Sequence, residues 1–178
     1  PTGKRSQWQG IPFGDYRVRL DSWTMGVEIC QDAWEGDKRP AHALAKRGVS
    51  IIVNPTASHF SFGKSQIRKK LVLEGAEIIH GVYLFSNLLG NESGRVIFDG
   101  DAYIAQDGLI MAESNRFSFA DSNLIYCAVD LQAFSTQADD IIESNTTVFE
   151  TDQNVTEHLF NPWEDSTYIK EEEFARVI

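Results

Sequence analysis

The stretch Gly26–Trp34, "GVEICQDAW", decides how this sequence is interpreted. An apolar run typical of a strand ends in Cys30, and polar residues follow at once before Trp34. A free cysteine is among the most buried residue types, so Cys30 could be a core residue. A thiol on a sharp strand-to-helix turn is instead held where a substrate carbonyl can reach it. The stretch alone leaves both interpretations open.

Strand and helix patterns alternate directly around this stretch. Residues 16–29 predict one or two strands, and "RPAHALAKRG" predicts a helix that ends near Gly48, a residue suited to a helix C-terminus. The β-branched run "VSIIVN" predicts a buried strand, and "PTASHFSFGK" predicts a loop after it. Parallel pairing of these strands would place Cys30 at the carboxyl end of a strand, where α/β folds gather their sites.

The following residues continue the alternation. "SQIRKKLVLEGAEIIHG" predicts a helix that Ser65 can cap, with Ile67 on its apolar face. "VYLFSN" predicts another buried strand, and "RVIFDGDAYIAQDGLIMAE" predicts strands joined by glycine-containing turns. "NLIYCAVDL" predicts a last alternating run with Cys127 in the core. This order predicts an α/β layered domain.

The composition is that of an ordinary globular domain. The chain has 178 residues, of which 42% are hydrophobic and 24% charged, so a sizeable core is expected. Two cysteines are too few for a disulfide framework, which favours a reducing, cytoplasmic setting. No apolar run approaches the roughly 18 residues that a membrane span needs, so we expect no membrane partner.

The net charge of −10 is concentrated at one end of the chain. From Asp130 onward there are 12 acidic and 2 basic residues, which account for all of it, whereas residues 1–129 hold 14 of each sign. Because no basic stripe is present, nucleic acid is not expected as a partner. The regular pattern dissolves from about Ser135, which predicts a domain over residues 1–133 and an acidic connector over residues 134–178.

Cys30 is the strongest candidate for chemistry. A thiol nucleophile needs a group that stabilises the thiolate and a donor for the oxyanion of the tetrahedral intermediate. The backbone N–H of Gln31, first in the turn, is the natural oxyanion donor. His59 could pair with Cys30 as a base, or could be an ordinary loop residue. The four histidines show no metal-ligand spacing, so no metal site is expected.

Taken in order, these motifs resemble the nitrilase (carbon–nitrogen hydrolase) superfamily and, within it, the glutaminase domains of glutamine-dependent NAD synthetases. The likeness is carried by "GVEICQDAW", by "LAKRGVSIIVNPTASHFSFGK" and by "VYLFSNLLGNESGRVIFDGDAYIAQDG", over residues 14–120. The tail "EEEFARVI" looks like the helix that leads into the synthetase domain of such enzymes. The resemblance implies an α-β-β-α sandwich, of which this chain would hold the C-terminal part.

The resemblance also implies roles for individual residues. Cys30 would be the nucleophile of a Glu–Lys–Cys triad, forming a thioester with the γ-carbonyl of L-glutamine and releasing ammonia. Ser58 and Lys64, in "ASHFSFGK", match the positions that bind the glutamine. In the family the triad Glu and Lys lie farther upstream than the 29 residues before Cys30 can hold, and the residue after the cysteine is often Glu rather than Gln31. We therefore expect a piece of a longer protein that is inactive alone.

The resemblance finally implies partners for this segment. A synthetase domain of the same polypeptide would use the ammonia for ATP-dependent amidation of deamido-NAD, with ATP and Mg²⁺ as its cofactors and none in this segment. A homo-oligomer is implied by the resemblance only. Two alternatives stay open: a stand-alone nitrilase-family amidase or carbamoylase, and a non-catalytic nitrilase-like assembly module. The triad Glu and Lys, if present in a longer chain, would favour an enzyme over a module.

Overall fold

The computed structural model describes residues 4–131 and 140–143. Its strands are β1 (Arg5–Trp8), β2 (Ile11–Gly14), β3 (Arg17–Leu20), β4 (Trp23–Val27), β5 (Ile51–Thr56), β6 (Val82–Asn87), β7 (Leu89–Glu92), β8 (Val96–Asp99), β9 (Ala102–Gln106), β10 (Leu109–Glu113) and β11 (Ile141–Glu143). Its helices are α1 (Pro40–Lys46) and α2 (Lys64–Ile79), with 3₁₀ helices at Cys30–Trp34 and Gly36–Lys38.

Seven of the described strands form one mixed sheet in the order β10-β9-β6-β5-β4-β3-β11. The central strands β4, β5 and β6 run parallel, while β3, β9 and β10 pair antiparallel with β4, β6 and β9. The hairpins β1–β2 and β7–β8 form two further small sheets. Because β4 and β5 are parallel neighbours, the segments that follow them leave the sheet at the same side, at the carboxyl ends of the strands. These segments carry Cys30 and Ser58.

The hydrophobic core lies between this sheet and the two α-helices. It comprises Ala41, Leu44, Val49, Ile52, Val72, Ala76, Ile79, Tyr83, Phe85, Tyr103 and Ala105. Successive strand residues point to opposite faces of a sheet, so alternate residues of β5, β6 and β9 reach this core. The predicted α/β class is therefore confirmed, and both helices cover the same face of the sheet.

The opposite face of the sheet is also apolar. Val27, Val53, Leu84 and Ile104 are aligned across four neighbouring strands, and all four are partly or largely exposed. Burial of such a row would contribute roughly 25 cal/mol for each Å² removed from water. This is the face on which the second sheet of an α-β-β-α sandwich would pack.

Helix α2 buries a different stripe from the one predicted. Its N-cap is Gly63, with φ +75°, and not Ser65, which lies in the first turn, is buried and bonds the Tyr103 hydroxyl at 2.8 Å. The side chain of Ile67 is 51% exposed. The buried stripe instead includes Arg68, because buried carboxylates below the helix bind its guanidinium.

The predicted strand over residues 123–131 is wrong. This segment has no regular structure and is held to the sheet at a few points, such as the Trp23 Nε1 bond to the Leu131 carbonyl at 3.4 Å. Cys127 is half-buried rather than a core residue, and burial raises the pKa of its thiol. An alternating sequence forms a strand only where a neighbouring edge is available to pair with it.

One short part of the predicted connector lies within the described residues. Strand β11 pairs parallel with β3 at the edge of the sheet, and the Asp140 carboxylate just before it binds Arg17 and Arg47. The rest of the connector lies outside the described residues, so the boundary at residue 133 stays a prediction. No helix of the described part is long and apolar enough to span a membrane.

Candidate functional site

Cys30 lies on a strained turn at the carboxyl end of β4. Its φ is +46°, in the left-handed region that non-glycine residues rarely adopt, and it opens a 3₁₀ helix that ends at Trp34. Such backbone strain costs of order 1–3 kcal/mol and persists only where the surroundings hold it. The Cys30 side chain is half-buried, so the thiol is neither sealed in the core nor fully exposed. A strained strand-to-helix turn is also the place where α/β-hydrolases present their nucleophile.

Hydrogen bonds hold the turn on both sides of Cys30. The Cys30 N–H donates to Asn54 Oδ1 at 3.1 Å. The Asp32 carboxylate accepts from the Ile29 N–H at 2.8 Å, and the Asp32 N–H donates back to the Ile29 carbonyl at 3.0 Å. Gln31, the predicted oxyanion donor, lies between these two bonded positions and its side chain is exposed. The oxyanion role of the Gln31 N–H stays a prediction.

A buried polar network lies under this turn. Glu28, two residues before Cys30, is fully buried and binds Arg39 through both carboxylate oxygens, at 2.8 and 3.3 Å. The Tyr83 hydroxyl donates to Glu28 at 2.6 Å and accepts from Asn54 Nδ2 at 2.8 Å. A chain of contacts thus connects the Glu28–Arg39 ion pair with the backbone of Cys30.

The charge state of this network follows from its surroundings. Burial and the adjacent Glu28 carboxylate raise the pKa of Tyr83, so the phenol keeps its proton. Burial alone would lower the pKa of Arg39. The hydrogen bonds and negative charge of Glu28 outweigh the effect of burial, and the pKa of Arg39 is raised. Sequence reasoning missed Glu28, Arg39, Tyr83 and Asn54. A glutamate inside an otherwise apolar strand was the available signal.

The loop between β5 and α2 carries the predicted substrate-binding residues. Ser58 is buried, and its backbone N–H donates to Asn87 Oδ1 at 2.8 Å. The Ser58 carbonyl accepts from Asn87 Nδ2 at 3.0 Å and from Arg68 at 2.9 Å. Both backbone groups of Ser58 are therefore held by side chains of the domain, and the loop has a defined position.

Arg68 is the centre of a second buried network. Its guanidinium binds Asp99 at 2.7 Å and Asp101 at 2.7 Å, and it also donates to the His59 carbonyl at 3.0 Å. Burial and the charge of Asp99 raise the pKa of Asp101. Because all three charged groups are almost fully buried, loss of one would leave the others uncompensated.

Lys64 connects the loop with the cysteine turn. Its ammonium donates to the His59 carbonyl at 3.1 Å and lies 5.9 Å from the centre of the Trp34 ring. Burial and the charge of Arg68 lower the pKa of Lys64, while Asp99 and Cys30 act in the opposite direction. The structure therefore brings Lys64 near the turn that carries Cys30.

Two other sequence expectations concern histidine and metal. His59 contributes its backbone carbonyl to Lys64 and Arg68, and its ring is not among the groups that contact Cys30 within the described residues. No three His, Cys, Asp or Glu side chains in that part of the chain are arranged to hold a metal ion. An open cavity of about 610 Å³ lies between His59 and the β7–β8 hairpin, and neither Cys30 nor Lys64 lines it.

Comparison with known proteins gives consistent matches. The chain is 34% identical over 125 residues to the glutamine-dependent NAD(+) synthetase of Drosophila melanogaster, covering 70% of this chain and 16% of the relative. It is 33% identical over 122 residues to that of Saccharomyces cerevisiae, covering 68% of this chain and 17% of the relative. The chain thus spans about a sixth of the length of these curated relatives. No family model matches the sequence.

A solved structure agrees with these relatives. A glutamine-dependent NAD(+) synthetase from Cytophaga hutchinsonii superposes with a TM-score of 0.61 at 37% identity, covering 71% of this chain and 21% of that chain. The synthetase from Acinetobacter baumannii, at 24% identity and a TM-score of 0.54, shows the same fold. The described sheet and helices therefore match one segment of these larger proteins.

Proposed function

Because this chain belongs to the family of the glutamine-dependent NAD(+) synthetases, as its motifs predicted, we propose that it carries the nucleophile and part of the substrate site of a glutaminase. The observation that carries the proposal is the strained turn at Cys30, half-buried at the carboxyl end of β4, with Lys64 nearby at the start of α2. A thiol held in this way can attack a carbonyl carbon.

The reaction proceeds in two steps. The Cys30 thiolate attacks the γ-carbonyl carbon of L-glutamine, and the Gln31 N–H stabilises the oxyanion of the tetrahedral intermediate. The proton removed from the thiol is delivered to the amide nitrogen, so that collapse of this intermediate breaks the carbon–nitrogen bond, releases ammonia and leaves a thioester on Cys30. Water then hydrolyses the thioester to glutamate and regenerates the thiol.

The loop holds the other end of the substrate. The Lys64 ammonium can pair with the α-carboxylate of glutamine, and Ser58 can offer an oxygen to its α-ammonium group. Asn87 and Arg68 fix Ser58, so these contacts need little reorganisation when glutamine binds. A hydroxyl at Ser58 and an ammonium at Lys64, six residues apart between the end of β5 and the start of α2, suit a zwitterion better than a neutral amide.

Proton transfer requires groups beyond those described. Within the described residues Cys30 donates its backbone N–H to Asn54, and no hydrogen bond joins an imidazole or a carboxylate to its thiol. We propose that the Glu and Lys of the family triad act from outside this segment, and that the 178 residues alone do not hydrolyse glutamine.

The ammonia would serve a second reaction elsewhere. We propose that a synthetase domain of the same polypeptide consumes it in the ATP-dependent amidation of deamido-NAD, in a cytoplasmic homo-oligomer. We propose that ATP and Mg²⁺ act in that synthetase domain and that this segment holds no cofactor; here the buried carboxylates of Asp99 and Asp101 pair with Arg68.

The test is covalent labelling of the full-length parent protein with a glutamine-mimicking diazo-ketone, followed by intact mass measurement. We expect a single adduct that is lost in Cys30→Ala and retained in Cys127→Ala, which removes the other cysteine of this segment. An adduct that persists in Cys30→Ala, or no adduct in a folded parent protein, would overturn the glutaminase proposal and favour the assembly module.

A further inference from the structure

We infer that Tyr83 and Asn54 are positioning residues for the glutaminase site: they hold the backbone of Cys30 through hydrogen bonds whose direction the Glu28–Arg39 ion pair sets. This inference rests on the proposed function, because it concerns the same nucleophile. It assigns a role in the reaction to a tyrosine and an asparagine that are both fully buried.

The direction of each bond follows from the donors and acceptors available. The ionised Glu28 carboxylate can only accept, and it receives bonds from Arg39, from the Ala41 N–H at 2.7 Å and from the Tyr83 hydroxyl at 2.6 Å. Tyr83 has one hydroxyl proton, and it donates this proton in the hydrogen bond to Glu28. The phenol oxygen must therefore accept its other bonds, from Arg39 at 3.2 Å and from Asn54 at 2.8 Å.

The orientation of the Asn54 amide is thereby decided. Because Nδ2 must donate to the Tyr83 oxygen, Oδ1 is the atom that faces the Cys30 N–H, at 3.1 Å. A flipped amide would place two N–H donors against each other at Cys30 and two acceptors against each other at Tyr83. The asparagine has no alternative orientation of comparable energy while the Glu28–Arg39 pair remains intact.

This arrangement has a consequence for the oxyanion site. The Cys30 N–H is committed to Asn54, and the bond helps to hold Cys30 at φ +46°. The oxyanion role then falls to the next N–H along the chain, that of Gln31. Loss of the hydrogen bond from the Cys30 N–H to Asn54 would let the turn relax. Both the thiol and the Gln31 N–H would then move relative to the substrate carbonyl.

The inference is tested by kinetics of glutamine hydrolysis in the full-length parent protein carrying Tyr83→Phe or Asn54→Leu. We expect kcat to fall by about 10-fold in Tyr83→Phe and about 100-fold in Asn54→Leu, because small displacements of reacting groups have effects of this size. The KM for glutamine should stay within about twofold, since Ser58 and Lys64 are untouched.

Tyr103→Phe is the matched control. Tyr103 is equally buried and its hydroxyl bonds Ser65 at 2.8 Å, outside the network under Cys30. We expect a similar loss of thermal stability in the two tyrosine variants, with kcat changed only in Tyr83→Phe. The alkylation rate of Cys30 by iodoacetamide should be little changed in Tyr83→Phe, because a small electrophile needs no oxyanion site.

The kinetic and folding results of these variants can overturn the positioning role and the proposed function separately. Equal kcat in Tyr83→Phe and Tyr103→Phe, or an unchanged kcat in folded Asn54→Leu, would overturn the positioning role. So would unfolding of both network variants while Tyr103→Phe folds, because the network would then serve the fold alone. Hydrolysis that survives Cys30→Ala would instead overturn the proposed function itself, which distinguishes the two failures.

Discussion

The ammonium of Lys64 lies 5.9 Å from the centre of the Trp34 ring, so the first residue of α2 meets the last residue of the 3₁₀ helix that begins at Cys30. This contact joins the start of α2 to the turn that carries Cys30. A cation over the face of an indole ring is attracted by about 0.5–1 kcal/mol or more. The contact therefore restricts the orientation of the Lys64 side chain, to which a glutamine-binding role is proposed above.

Lys64→Gln is expected to weaken glutamine binding. Loss of a charge-assisted bond of about 1.5–3 kcal/mol to the substrate carboxylate should raise KM about 10- to 100-fold and change kcat much less. Lys70→Gln is the control, since Lys70 is exposed on the same helix and pairs with Glu74 at 3.7 Å. Steady-state kinetics of the full-length protein provide the measurement. An unchanged KM in Lys64→Gln would contradict the assignment.

Arg68→Met is expected to destabilise the domain strongly. It would leave the buried carboxylates of Asp99 and Asp101 without their main partner, at a cost of about 3–5 kcal/mol in the free energy of unfolding. Arg95→Met, at an exposed pair with Glu92, should change stability by less than about 0.5 kcal/mol. Urea denaturation of both variants checks this, and a loss below about 1 kcal/mol in Arg68→Met would refute the central role of the network.

Asp140 is expected to make stability depend on pH. The bond from Arg17 lowers the pKa of Asp140 despite its partial burial, and Arg47 lowers it further. Because the folded pKa lies below the unfolded value of about 3.9, this stabilisation is present above about pH 4. It is lost as the pH falls through the folded pKa.

The measurement is urea unfolding between pH 3 and pH 7. Asp140→Asn should be less stable than the parent protein at pH 7, and the two stability curves should converge as the pH falls. Asp121→Asn, at an exposed position, serves as the control and should run parallel to the parent. Curves that stay equally far apart over the whole range would show that the pairing with Arg17 and Arg47 does not titrate as described.

Gly75→Ala is expected to disturb the tyrosine under the cysteine turn. A Cβ at Gly75 would lie 2.5 Å from the Tyr83 ring and 2.9 Å from the Arg39 guanidinium. Alanine favours a helix over glycine by about 1 kcal/mol, but overpacking a rigid core costs about 1–3 kcal/mol. We expect a net loss of thermal stability together with lower kcat, whereas Gln66→Ala, exposed on α2, should leave both unchanged. A more stable Gly75→Ala would show that the ring moves aside without cost.

The sequence predicted the local structure well where periodicity or turn chemistry is strong. The runs that became β4, β5 and β6 are short, apolar and β-branched or aromatic, and Gly48, with φ +74°, lies just past the end of α1 as expected. The sequence was less informative for α2, where it predicted Ile67 rather than Arg68 on the buried face. An arginine is buried only when distant carboxylates pair with it, and no local pattern shows such a partner.

The sequence by itself determined the alternation of strands and helices from β3 to β6 and the turn that presents Cys30, because these depend on neighbouring residues; it did not predict the β1–β2 hairpin or β11. Its motifs also identified the family and proposed Ser58 and Lys64 as substrate contacts. Only the tertiary structure decided what holds that turn. Glu28 and Tyr83 are 55 residues apart, and Cys30 and Asn54 are 24 apart. Side chains so distant in sequence become partners only when parallel strands bring them together, and a buried hydrogen bond then fixes their orientation.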